Sequence, residues 1–336
     1  MSENMQDIAI VVTALVAFGV TAILGKVLIP YLRKLKFGQT IKEIGPTWHK
    51  AKQGTPTMGG MMFIIGIISA VVVGFITMIS VNQSRVNNTQ CVRLFAGLIM
   101  AFGFGLMGYV DDYIKVVKKR NLGLKAKQKL LIQLFLSIAY LAVLKISGTL
   151  STIVDIPFVG QLDLSLFYYP AMIFVIIATT NAVNLTDGID GLASSVTFIV
   201  AIAFMIYSSK MNQDYMQILS IATAAGCLGF LVWNFYPAKV FMGDTGSMFL
   251  GGLVIALAFG LDVPILIILV GFIYFIEALS VILQVISFKT TGKRIFKMSP
   301  IHHHFEMSGW SEIKIVVVFC LISAIFGVIG FFGLPI

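Results

Sequence analysis

Charge is scarce in this chain. Only 12% of its 336 residues are Asp, Glu, Lys or Arg, about half the roughly 25% of a soluble domain. That excludes the two soluble domains its length alone would suggest. Cysteine is nearly absent: Cys91, Cys227 and Cys320 form neither a CxxC pair nor an even set, so no disulfide framework is expected. No basic, aromatic-rich domain stands apart, which argues against nucleic acid as a partner. There is no low-complexity tract or internal repeat. Thr291-Gly292-Lys293 ends like a phosphate loop, but Ser287 stands where the first glycine belongs, so no Walker A is present. The stretch Asp187 to Gly191 lacks the oxygen spacing of a calcium loop.

What is present is grease. Hydrophobic residues make up 58% of the chain and the mean hydropathy is +0.96. The apolar runs are continuous rather than alternating, and many approach the roughly 20 residues that a helix needs to cross hydrocarbon. The expected fold is all-α: a single polytopic membrane domain over 1–336, with ten spans at 8–30, 57–79, 93–110, 128–146, 170–185, 191–208, 214–233, 246–260, 263–287 and 314–333. The first is not a cleavable signal, since its leading residues are acidic and Lys26 follows without a small-residue cleavage site.

The few charges are sorted. The connections after the first, third, seventh and ninth spans hold nineteen of the 24 lysines and arginines, which makes those loops cytoplasmic by the positive-inside rule and puts both termini outside. On that same side lie only five aspartates: Asp111, Asp112, Asp187, Asp190 and Asp244. All sit at span ends beside glycine. Ionisable groups at membrane depth are costly and point to function. Carboxylate oxygens suit a hard cation such as Mg²⁺, which favours one or two carboxylates plus substrate phosphates. The neighbouring lysines suit phosphate, and the combination suits phosphoryl transfer. Three of the four histidines, His302, His303 and His304, form one run in the last basic loop; with no cysteine nearby they fit donors to a diphosphate better than zinc ligands. A transporter would place its acids near the midplane on broken helices, and a lipid-binding scaffold would not need five of them.

Five motifs carry a resemblance: GTPTMGG at 54–60, YVDDYIKV at 109–116, NAVNLTDGIDGLA at 181–193, VWNFYPAKVFMGDTGS at 232–247 and SPIHHHFE at 299–306. Together they resemble the polyprenyl-phosphate N-acetylhexosamine-1-phosphate transferase superfamily. The triple histidine followed by Phe-Glu resembles its phospho-N-acetylmuramoyl-pentapeptide transferase branch rather than the N-acetylglucosamine branches. The resemblance implies transfer of the phospho-sugar of UDP-N-acetylmuramoyl-pentapeptide to undecaprenyl phosphate, giving lipid I and UMP for peptidoglycan. It implies Mg²⁺, with Mn²⁺ as a substitute, a homodimer in the bacterial plasma membrane, a cytoplasmic-face site, and uridine-class nucleoside antibiotics as inhibitors. A sister enzyme using UDP-N-acetylglucosamine is the alternative.

Residue roles follow with it. Asp244 is the expected Mg²⁺ ligand, with Asp187 as a second. Asp111 and Asp112 are about 100° apart on a helix and cannot do one job; one would position the lipid phosphate, the other support the metal or Lys127. The resemblance puts Asn184 and Asp187 near the diphosphate, Asp190 and Phe241 near the uracil, and Lys52, Thr57, Lys115, Lys119 and Lys127 on phosphate. Asn181, Asn234 and His304 join the substrate-binding candidates, and His302 and His303 the catalytic ones. Glu277, in the middle of the ninth span, is an acid facing the bundle or a lipid groove.

Overall fold

The computed structural model describes residues 3–35, 52, 54–82, 87–117 and 123–334. They are nearly all helix: α1 (Glu3–Lys34), α2 (Gly60–Asn82), α3 (Asn88–Val117), α4 (Ala126–Ile146), α5 (Tyr168–Thr186), α6 (Leu192–Lys210), α7 (Asp214–Asn234), α8 (Gly243–Gly260), α9 (Ile267–Val270), α10 (Phe272–Thr291), α11 (Ile301–Glu306) and α12 (Glu312–Phe332). Ten of these are long and apolar enough to cross a membrane; the two short ones, α9 and α11, are not. In hydrocarbon the helix is the element that satisfies its own backbone. Several buried hydroxyls obey the same constraint by bonding back one turn: Thr180 Oγ1 donates to the Ile176 carbonyl at 2.9 Å, Thr197 to that of Ala193 at 2.7 Å and Ser220 to that of Met216 at 2.7 Å.

Two features depart from the expected plan. The connection before α5 holds an antiparallel hairpin of β1 (Ile153–Ile156) and β2 (Gly160–Asp163), with Ile153 opposite Asp163 and Ile156 opposite Gly160. The ninth span is also broken. Pro264–Leu266 is a 3-10 turn, α9 follows, and Gly271 separates it from α10. A proline fixes its own φ at the turn, and the regular span begins only at Phe272.

Helix α8 is the hub. Every residue from Thr245 to Gly260 is buried. Its most extensive partner is α3, and α5 packs on it as well. Small residues make this possible, since lipid provides no hydrophobic drive and helices associate by close packing. A Cβ on Gly252 would lie 2.6 Å from the Ala101 Cα. The periphery is different: α10 buries only Ile273, Tyr274, Glu277 and Ser280.

The alternating directions of the spans bring the C-terminal ends of α3, α5 and α7 to the same end of the bundle as the N-terminal ends of α2, α4, α6, α8 and α12. At the opposite end Arg93, on α3, ties three elements together. Its guanidinium donates to the carbonyls of Thr149 (2.8 Å) and Gly260 (3.3 Å) and pairs with Asp262 at 3.0 Å.

Candidate functional site

Three aspartates meet where α3 ends and α8 begins. Asp111, Asp112 and Asp244 each offer a carboxylate oxygen, and these atoms lie within 4.8 Å of one another. Two ammonium groups close the cluster. Lys115 Nζ, one turn after Asp111, is 2.6 Å from Asp111 Oδ2 and 3.0 Å from Asp244 Oδ2. Lys129 Nζ, from α4, is 3.1 Å and 2.9 Å from the same two oxygens.

The adjacent aspartates point different ways. Asp112 reaches the first turn of α8: Oδ2 accepts from the Thr245 amide (2.9 Å) and hydroxyl (2.7 Å), and Oδ1 accepts from the Asp244 amide at 3.2 Å. α8 has no side-chain cap of its own. A carboxylate from α3 therefore satisfies its free amides and complements the helix dipole. Gly243, at φ +70°, makes the approach possible, because a Cβ there would run into the Asp112 carboxylate and the Thr57 hydroxyl. Asp111 instead faces the lysines, and its Oδ1 accepts the Leu124 amide at 2.7 Å.

Asn184 holds the third carboxylate from α5. Its amide donates to Asp244 Oδ1 at 3.1 Å and to Ser247 Oγ at 2.7 Å. Asp187 follows at the end of α5. Burial, and then the negative charges of Asp244, Asp112 and Asp190, push its carboxyl up to about 8. The donor set here is all oxygen with excess negative charge, and among the described residues no well-aligned hydrogen bond reaches the buried Asp111 Oδ2. That is the chemistry of a hard divalent cation, and the residues fit one.

A second group flanks the first. Lys52 Nζ bridges Asp190 Oδ1 (2.7 Å) and Glu312 Oε2 (2.6 Å). The other Asp190 oxygen accepts the Ala238 amide at 2.9 Å, and the Asp190 amide donates to Glu312 at 2.9 Å. The segment around Thr57 runs along 240–242: the Phe241 amide donates to the Pro56 carbonyl at 2.8 Å, and Gly59 returns a bond to the Phe241 carbonyl at 2.9 Å. The histidine run forms α11 beside them.

The chain is similar to known proteins over nearly its full length. Residues 94–262 match the family described as Glycosyl transferase family 4. A phospho-N-acetylmuramoyl-pentapeptide-transferase of Clostridium botulinum (strain Alaska E43 / Type E3) is 48% identical over 321 residues, 95% of each chain. That of Bacillus subtilis (strain 168) is 46% identical over 337 residues, 98% of each chain. That of Acetivibrio thermocellus is 46% identical over 324 residues, 95% of this chain and 94% of the relative. The chain belongs to the phospho-N-acetylmuramoyl-pentapeptide-transferase family.

Within this family member, the residues expected at the site fall into three sets. Asp111, Asp112, Asp244, Lys115 and Asn184 share direct contacts, with Thr57 buried beside them. Lys52 and Asp190 meet in the flanking group, and Phe241 is half-buried on the strand-like pairing with Pro56. Others do local structural work. Asn181 pairs amide to amide with buried Gln133 at 3.1 and 3.2 Å, tying α5 to α4. Asn234 is buried and donates to the Val240 carbonyl at 2.9 Å, pinning the turn that leads to α8. His304 Nδ1 accepts the Lys297 amide at 3.1 Å. Lys127 lies exposed on the first turn of α4, and Lys119 falls outside the described residues.

Three contacts were absent from the sequence reading: Lys129 on the carboxylates, Glu312 on Lys52, and Glu277 on His302. The face that carries Lys129 is set by how α4 packs. The buried face of α4 is Gln133, Ser137, Tyr140, Leu141 and Leu144, and Lys129 is one turn before Gln133 on that face. Lys127 is about 200° away from Lys129 around the helix.

Proposed function

We infer that the chain transfers phospho-N-acetylmuramoyl-pentapeptide from its UDP-activated form to undecaprenyl phosphate, giving lipid I and UMP. The observation that carries this reading is the cluster of Asp111, Asp112 and Asp244 closed by Lys115 and Lys129, in a chain that matches transferases of that name over nearly its full length.

The chemistry follows from the charges. Phosphoryl transfer asks the protein mainly to align two anions and neutralise the charge that spreads over the transferred group. Lys115 and Lys129 supply fixed positive charge beside the place where diphosphate and lipid phosphate would meet. Asp244, Asp111 and Asp187 are the groups that would hold Mg²⁺, or Mn²⁺ in its place. A bound divalent ion supplies Lewis-acid polarisation and charge neutralisation of the diphosphate. Asp112 keeps the amide end of α8 in register with the cluster, and Asn184 fixes the rotamer of Asp244. Lys52, Asp190 and Phe241 provide a charged and an aromatic surface for the uridine end. A prenyl phosphate is already largely ionised at neutral pH, its second pKa being about 6, so no general base is required. The basic loops support a cytoplasmic site, and the same reading includes a homodimer and inhibition by uridine-class nucleosides.

The test is purified protein in detergent with radiolabelled UDP-N-acetylmuramoyl-pentapeptide, undecaprenyl phosphate and Mg²⁺. Labelled lipid product and UMP are expected, with none in EDTA and recovery on adding Mg²⁺ or Mn²⁺. Equal turnover of UDP-N-acetylglucosamine would reassign the chain to a sister specificity, and full activity in EDTA would remove the metal from the reading.

A further inference from the structure

Glu277 and His302 are both fully buried, and His302 Nδ1 is 3.0 Å from Glu277 Oε1. A carboxylate and an imidazole sealed from water at membrane depth are costly, and are kept where they have a task. Their second atoms, Glu277 Oε2 and His302 Nε2, have no hydrogen-bond partner among the described residues. Nε2 abuts Gly188, where a Cβ would collide with the ring, so the histidine is clamped between α10 and the Asp187-Gly188 turn. The ring of His303 lies 4.1 Å away, centroid to centroid, and its Nδ1 is 2.6 Å from Glu306 Oε2. Two carboxylate–imidazole pairs thus stand back to back, one inside the bundle and one toward the loop surface.

We propose that Glu277 is a positioning residue. Through His302 it seats α11 against the turn that carries Asp187, and so fixes the position of the adjacent His303. With Glu277 Oε1 as the acceptor, the ring proton of His302 sits on Nδ1, which fixes both tautomer and ring plane. Glycine at 188 is the third member, because any side chain there would push His302 off Glu277. The proposal rests on the transferase reading above for its activity arm, and on geometry alone for its spectroscopic arm.

The chain has four histidines, so ¹⁵N-histidine labelling gives a spectrum simple enough to assign by single substitutions. The wild type should show a His302 ring with its proton on Nδ1, identified by its loss in His302→Asn. In Glu277→Gln, whose amide can either accept or donate, that signal should shift or split. The same variant should lose about 10- to 100-fold in kcat, with KM for the nucleotide-sugar within about twofold. On the His302→Asn background Glu277→Gln should cost nothing further, whereas a general packing defect would add. Glu277→Asp should recover part of the turnover lost in Glu277→Ala, and this pair decides the matter if the Gln variant does not fold. An unchanged His302 signal, unchanged kcat in a folded Glu277→Gln, additive losses, or no recovery in Glu277→Asp would each overturn the proposal. An inactive wild type in the same assay would count against the transferase reading instead, leaving the spectroscopic result to stand.

Discussion

At the scale of the residue, the three clustered aspartates differ in what surrounds them, and their substitutions should differ accordingly. Asp244 shares one oxygen between Lys115 and Lys129 and the other with Asn184. Asp244→Asn keeps the shape and removes the charge; kcat should fall by at least about 10³-fold, roughly 4 kcal/mol of transition-state stabilisation, in a protein that still elutes as wild type on gel filtration. Asp112 accepts three bonds at the start of α8. In Asp112→Asn an NH₂ group must face an N–H or O–H donor, so this variant should lose stability as well as turnover, by about 1–2 kcal/mol. Asp111→Asn keeps an oxygen for the Leu124 amide and turns only its other atom toward the two lysines, so it should lower Tm less. Thermal unfolding of the two variants side by side checks the difference.

Asp187 makes a pH prediction at the same scale. Its folded pKa, about 8, lies above the ordinary carboxylate value of about 3.9. Between those values the folded state holds a proton that the unfolded chain releases, so this group's contribution to stability falls as pH rises through that window. Tm measured in EDTA from pH 5 to pH 8.5 should therefore drop less in Asp187→Asn than in the wild type. Parallel curves would show that this carboxyl does not titrate in that range.

At the scale of the element, α8 sets the tolerances. It is buried along nearly its whole length and touches α3 and α5 backbone to backbone through its glycines. Gly252→Val would force an isopropyl group against the Ala101 backbone. Overpacking of this kind costs about 1–3 kcal/mol, and because the clash is with a Cα, Ala101→Gly should not restore the lost Tm. Helix α10 behaves oppositely. With most of its surface outside the bundle, apolar substitutions at exposed Ile282 or Ile286 should leave Tm unchanged.

At the scale of the whole molecule, the alternating spans commit every site-bearing end to one side. The charge bias predicts that side to be cytoplasmic. In a variant with Cys91, Cys227 and Cys320 replaced by alanine, a single cysteine at Gly160 in the hairpin should react with a membrane-impermeant maleimide added to intact cells. One at Lys293, on the opposite end, should react only after the membrane is opened. The reverse pattern would invert the topology.

What the sequence determined by itself is what the bilayer dictates. Hydrocarbon thickness and the need to satisfy every peptide group leave only long apolar helices, so ten spans and their alternation were legible from hydropathy, and ten helices of the required length and hydropathy are present. The family was legible from five motifs, since those residues keep their order along the chain. Which side chains meet was settled by packing, because that depends on helix rotation and on breaks that hydropathy does not register. Asp111 to Lys115 is one helical turn and could be foreseen, whereas Lys129 reaches Asp111 across from another helix. The division of labour between Asp111 and Asp112 depends on where α8 begins. The burial of Glu277 against His302 joins positions 25 residues apart, across the end of α10 and the loop beyond it. The ninth span reads as one apolar run, yet it breaks at Gly271, because hydropathy records transfer into lipid and not the geometry of the chain that is transferred.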